Sequence, residues 1–273
     1  ELLIKGLSYF NVAQKEDEEN KNIYYLKSIR VLTEAITEAI YKDNINELNS
    51  ILFYHLAYSY LLFGEEYFAI SLNYFNHAEK LNNEDKLLMK GKREGKIYLL
   101  ELFEISGSVY FQLGQYKNTI EYFDKAKTLN SDNILYDLVL AKSYYEIGEY
   151  EKSYEYYNFV LNNYDKEKTY KNEIINDEII EQIKLHIPRL QYLMKNYHSA
   201  ISYYKKYIKE YGDSAELRYI IGKIYETLSF IENNKQKQKE YINKAIEQWK
   251  KSIIIKPDYG RSMLKLWRYN AQI

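Results

Sequence analysis

The sequence predicts an all-α chain of about six stacked helix pairs, and three observations lead there. Apolar residues recur at helical spacing along most of the 273 residues, only 2 Pro and 10 Gly are present, and one pattern returns every 34 residues. Apolar side chains three and four apart give a helix one buried stripe. So few turn-forming residues cannot punctuate the many short strands of a sandwich or barrel. A fixed period of about 20 to 50 residues marks a solenoid, in which each unit buries its apolar face against its neighbours. At 46% hydrophobic the chain has the apolar content for a substantial core, which weighs against disorder.

The period is clearest around Gly114 and Gly148, in FEISGSVYFQLGQYKNTIEYFDKAKTLN and DLVLAKSYYEIGEYEKSYEYYNFVLNNY. Seven residues before these turns stand Gly107 and Ala141, and four before them Tyr110 and Tyr144. Tyr116 and Tyr150 follow at two, Thr119 and Ser153 at five, Phe123 and Tyr157 at nine, Ala126 and Val160 at twelve. Small residues sit where two antiparallel helices approach, and large ones fill the space between pairs.

This spacing resembles the tetratricopeptide repeat, and the resemblance extends over most of the chain. Residues 46–82 carry Ala57, Tyr60 and Gly64, then Phe68, Ser71, Phe75, Ala78 and Leu81, with two extra residues near the turn. Residues 1–40 carry Gly6, Tyr9, Tyr25, Ser28, Leu32 and Ala35 around the insert QKEDEENKN. In 173–212, Lys195 takes the turn position, followed by Tyr197, Ala200 and Tyr204. The unit 215–257 has Gly222, Tyr225, Ala245, Trp249, Ser252 and Pro257 around NNKQKQK. With 97–133 and 134–167 these make six units in one domain over 1–273, and the resemblance implies a right-handed α-solenoid. A solenoid needs a polar lid, so 258–273 reads as a capping helix with Met263, Leu264 and Trp267 inward and Arg261, Lys265 and Arg268 outward. Pro188 predicts a kink or break near Leu185. The stretch 82–96 reads as a helix extension followed by a loop at Gly91 to Gly95. The expectation is at least twelve helices, no sheet, and tight turns at Gly64, Gly114 and Gly148.

Catalytic constellations are absent from the sequence. Without Cys there are no disulfides, thiolate metal sites or thiol nucleophiles. His55, His77, His186 and His198 fall in no HExxH or ExxH motif, GKREGK lacks the Walker spacing, and no GxSxG elbow occurs. The chain is therefore read as no enzyme, with no cofactor, metal or small-molecule substrate. The 38 Lys and Arg nearly cancel the 39 Asp and Glu, so no global field draws it to nucleic acid or a membrane. Locally, residues 229–273 hold ten basic against four acidic side chains, and residues 1–50 six against nine. Lys90, Lys92, Arg93 and Lys96 read as a solvated loop. No apolar run reaches 18 residues, so no transmembrane segment is expected in this chain. The chain opens on Glu1 rather than Met, and the expectation is that something upstream was removed, whether by trimming of the chain, by cleavage of a leader or with a lipoprotein tether. The compartment stays open between cytoplasm and envelope.

In the family this chain resembles, the first helix of each pair lines a concave groove that takes an extended peptide or a partner helix. Three residues before the turn the resemblance places Phe111, Tyr145 and Tyr192; six before it, Tyr58, Lys142, Arg189 and Lys223; ten before it, Tyr54 and Tyr219. The aromatics would anchor a partner, and Lys142, Arg189 and Lys223 would form a cationic ladder selecting an acidic or C-terminal carboxylate group. A chaperone-type carboxylate clamp is disfavoured, since only Arg189 matches its pattern. Two readings of function stay open. The first is a protein-binding scaffold or adaptor, of which a bacterial cell-envelope lipoprotein without its tether is one form. The second is a regulator or RNA-contacting factor using the basic C-terminal end.

Overall fold

The 34-residue period folds as antiparallel helix pairs. The computed structural model describes residues 1–44, 48–89, 94–164 and 175–269, and among these are thirteen α-helices, two short 3-10 helices and no strand. In chain order they are α1 (Leu2–Ala13), α2 (Glu18–Tyr41), α3 (Ser50–Phe63), α4 (Phe68–Asp85), α5 (Glu94–Gln112), α6 (Tyr116–Leu129) and α7 (Ile134–Glu146). Then follow α8 (Tyr150–Asn163), α9 (Asp177–Leu193), α10 (Tyr197–Tyr211), α11 (Ala215–Ile231), α12 (Lys235–Ile255) and α13 (Gly260–Arg268). Two compact units result, Glu1–Ser143 and Tyr144–Ile273.

Local chemistry sets the ends of these helices. Asn49, Asn176 and Ser214 cap α3, α9 and α11, each accepting from the backbone N–H three residues on. Gly114 (φ 70°), Gly148 (φ 83°) and Lys195 (φ 62°) stop α5, α7 and α9 in the left-handed region. The next N–H then reaches back five residues in each case: Gln115 to Tyr110, Glu149 to Tyr144 and Asn196 to Gln191, at 2.8, 2.9 and 2.8 Å. Gly64 differs. It is extended (φ 169°), and a 3-10 turn over Glu65–Tyr67 takes up the two extra residues there.

Inside the pairs, the small-against-large pattern decides the contact. A Cβ on Gly107 would stand 2.8 Å from the Phe123 ring, and one on Gly222 would run into Trp249. Ala57, Ala78, Ala126, Ala141, Val160 and Ala200 are all fully buried. Hydroxyls at the crossings find backbone partners, Ser71 with Ala57 O and Ser252 with Ala215 O. Tyr–Glu hydrogen bonds tie successive pairs in the first unit. Tyr54 of α3 donates to Glu101 of α5 at 2.7 Å, Tyr136 of α7 to Glu104 of α5, and Tyr122 of α6 sits 2.9 Å from Glu79 of α4.

Three expectations need correction. Pro188 does not break the helix, the second half of that expectation: α9 runs from Asp177 to Leu193 through it, with Ile183, Ile187, Pro188 and Leu190 buried. Gly95 lies inside α5 rather than in a loop, while Lys90, Gly91, Lys92, Arg93 and the side chain of Lys96 fall outside the described residues. The C-terminal helix is turned the other way. Ser262 and Leu266 face inward, Lys265 Nζ meets Glu226 Oε2 at 2.5 Å, and Trp267 is 76% exposed. Met263 and Leu264 are exposed with it. The reason is Glu226, a buried carboxylate on α11 that takes both Lys265 and the Tyr269 hydroxyl (2.9 Å), while Tyr269 stacks on Trp249.

Candidate functional site

The first helices carry the nine candidate residues, and the structure divides them into three kinds. Tyr54 is a core residue, 1% exposed, with its ring against His55, Tyr58, Phe75 and Tyr98 and its hydroxyl spent on Glu101. Burial and that carboxylate push its phenol far above the usual range. As a partner contact it is therefore corrected: it offers no free surface. Half-buried Tyr58 belongs to the same cluster, 5.4 Å from Phe10.

The aromatics three before the turn are in contact with the second helices of their own pairs. Each leans on the tyrosine two after its own turn: Phe111 on Tyr116, Tyr145 on Tyr150, Tyr192 on Tyr197, with centroids 5.6, 5.9 and 5.4 Å apart. One edge brackets the turn and the rest stays half-exposed. Tyr219 is likewise half-buried, edge-on to Tyr259 at 5.9 Å.

In the second unit, Tyr145 and Arg189 come together. The guanidinium lies 5.3 Å from the Tyr145 centroid, and His186 meets the same ring edge-on at 6.0 Å. Burial raises the Tyr145 phenol, and the Arg189 charge opposes that shift. Beside them opens a groove of about 580 Å³ between α9 and α11. Leu185, His186 and Arg189 form one wall, Glu216, Leu217 and Ile220 the other, and Tyr204, Tyr207 and Tyr211 close the floor and end. Tyr192, Tyr219 and Lys223 do not line it, and Lys142 belongs to the first unit. The groove thus has one cation, Arg189, and two acids, Glu216 and Asp213, the second paired with Arg218, in place of a cationic ladder. Leu185, His186 and Ile220 stand nine and ten residues before their turns, but they are neither tyrosine nor phenylalanine nor a fixed cation, and the offsets alone did not single them out. Glu216 lies in the first turn of α11, where a helix-start acid reads as ordinary end chemistry.

Among the described residues no group of three His, Asp or Glu is placed to hold a metal, and no helix is long and apolar enough to cross a membrane.

The tetratricopeptide repeat family model matches residues 100–133. No curated protein matches the chain. Among solved structures, YrrB, described as a TPR protein with an unusual peptide-binding site, is similar at TM-score 0.47 and 17% identity, over 85% of this chain and 95% of its own. MamA from Desulfovibrio magneticus RS-1 is similar at 0.46 and 13%, over 75% and 94%. A tetratricopeptide repeat protein from Parabacteroides merdae is similar at 0.34 and 20%, over 97% and 91%. At such scores these likenesses bear on neither the groove nor its ligand. The family model thus identifies one tetratricopeptide repeat, at residues 100–133, and the helix pairs on either side of it carry the same offsets.

Proposed function

We propose that the protein is an interaction scaffold or adaptor that holds a segment of another protein in the groove between α9 and α11. The observation that carries this reading is the groove itself: a recess of about 580 Å³ with apolar Leu185 and Ile220 on facing walls, Arg189 and Glu216 exposed at its rim, and its other acid, Asp213, already paired with Arg218. Recessed apolar surface with few polar groups is what a binding site needs. Leu185 and Ile220 would take an aliphatic or aromatic side chain. Arg189, held against Tyr145, would meet a carboxylate on the partner, and Glu216 a cation beyond it. The two charges then fix the direction of the bound segment more than its affinity.

Selection from a random peptide library displayed on phage tests this. Wild-type protein should enrich peptides with an apolar anchor flanked by an acidic residue on one side and a basic one on the other. Arg189→Glu should replace the acidic preference with a basic one, and Glu216→Lys should invert the other flank. Equal enrichment by all three proteins would place the binding surface elsewhere.

A further inference from the structure

The basic C-terminal stretch takes no part in the groove, but two of its lysines meet two cations from outside it. Lys244 and Lys251 of α12 meet Lys205 of α10 and Arg218 of α11 around a separate pocket of about 410 Å³. Two of these four cations are already neutralised. Arg218 closes on Asp213 with Nε at 2.9 Å and Nη2 at 2.6 Å, and Lys251 Nζ lies 2.6 Å from Glu247. Lys205 and Lys244 are not: among the described residues, neither has a carboxylate within 4.0 Å. Both ammoniums stand instead near the ring of Tyr225, 5.9 and 6.0 Å from its centroid.

Two hydrogen-bond donors are left over at the same place. Tyr225, 9% exposed, accepts from Lys205 Nζ at 3.4 Å, and its own O–H has no acceptor among the described residues. Gln248 is 5% exposed; its Oε1 accepts from Arg218 Nη1 at 2.9 Å, while its amide N–H₂ has no acceptor among the described residues. Neither is an orphaned atom of the core; both residues line the pocket, where their donors are open to a ligand. Glu247 gives an independent sign of the field: its carboxyl is held low, first by the Lys251 hydrogen bond and also by the charges of Lys205 and Arg218.

Two uncompensated positive charges and two unspent donors on three helices match a compact oxyanion with two negative charges. We propose that this pocket binds a phosphoryl dianion, as free phosphate or as the monoester end of a small molecule. A single carboxylate leaves one ammonium unmatched, and a dicarboxylate separates its charges. The backbone phosphates of RNA carry one charge each along a line, and call for a stripe of cations rather than one recess.

Isothermal titration of the full chain at low ionic strength, with inorganic phosphate and with phenyl phosphate, tests the proposal. Either probe should bind at pH 7.5: phosphate alone points to the free ion, tighter phenyl phosphate to a monoester. Phenyl phosphate should lose about tenfold in affinity at pH 5, where it is mostly a monoanion. Lys205→Gln with Lys244→Gln should weaken binding at least about tenfold with the melting temperature nearly unchanged, because both side chains are exposed and neither is ion-paired among the described residues. Tyr225→Phe, which keeps the ring, should weaken it about threefold by removing one donor. The proposal is overturned if neither probe gives heat at millimolar concentration, or if the double variant binds as the parent does. It is equally overturned if a short RNA oligomer binds with a salt dependence well beyond two phosphate contacts and the double variant leaves that binding intact.

Discussion

His55 shows how a single side chain can set the pH behaviour of a helical stack. It is buried on α3 among Phe10, Tyr54 and Tyr98, and its Nδ1 has no hydrogen-bond partner among the described residues. Burial pushes its pKa down to about 4 from 6.5. Between those values the unfolded chain binds a proton that the folded chain refuses. The contribution is therefore complete above pH 6.5 and is lost as the pH falls toward 4, by up to roughly 3 kcal/mol. Urea unfolding at pH 7 and 4.5 should show this loss, and His55→Phe should lose measurably less over the same interval; equal losses would remove His55 as the cause. Packing makes a second prediction at this scale. Gly107→Ala puts a methyl 2.8 Å from the Phe123 ring and should cost about 1 to 3 kcal/mol in denaturant melts, partly recovered by Phe123→Leu. Gly107 and Phe123 were legible as small and large members of one pattern. Tyr54 was not, because offset alone places a ring on a face without saying whether a neighbouring helix covers it.

Turns were the most legible elements, since their chemistry is local. Gly114 and Gly148 carry the left-handed residue that ends a helix, and Lys195 adopts the same conformation without glycine's freedom. Lys195→Gly should consequently raise stability by roughly 0.5 to 1 kcal/mol, and Gly148→Ala should lower it by about 1 kcal/mol. Thermal melts that move in the same direction for both would contradict the shared turn. The C-terminal helix was misread for the opposite reason. Alternation along α13 favours Trp267 as the inward residue, but Glu226, some forty positions upstream, selects Lys265 and Tyr269 instead. Glu226→Ala leaves a buried ammonium, worth about 3 kcal/mol if α13 stays docked. The expected outcome is that α13 lets go, so that Trp249 fluorescence shifts to the red well before the rest of the chain melts. A single transition by fluorescence and circular dichroism would show that Glu226 does not hold it.

At the scale of the whole chain, repetition made the helix-pair architecture readable: one unit, seen twice in clean form, fixed the offsets by which the imperfect ones could be found. Divergent units hid the binding surface. The ladder of Lys142, Arg189 and Lys223 rested on equal offsets, yet in the second unit Arg189 lines the groove, Lys223 does not, and Glu216 supplies the opposite charge. The scaffold reading therefore depends on one groove rather than on a row of equivalent positions. Its most direct test is site-specific photo-crosslinking of a library-selected peptide, with the photoreactive residue p-benzoylphenylalanine placed in turn at Leu185, at Ile220 and at Tyr203, which lies outside the groove. The account predicts crosslinks from positions 185 and 220, lost in Arg189→Glu, and none from 203. Crosslinks confined to 203, or formed equally with Arg189→Glu, would contradict it.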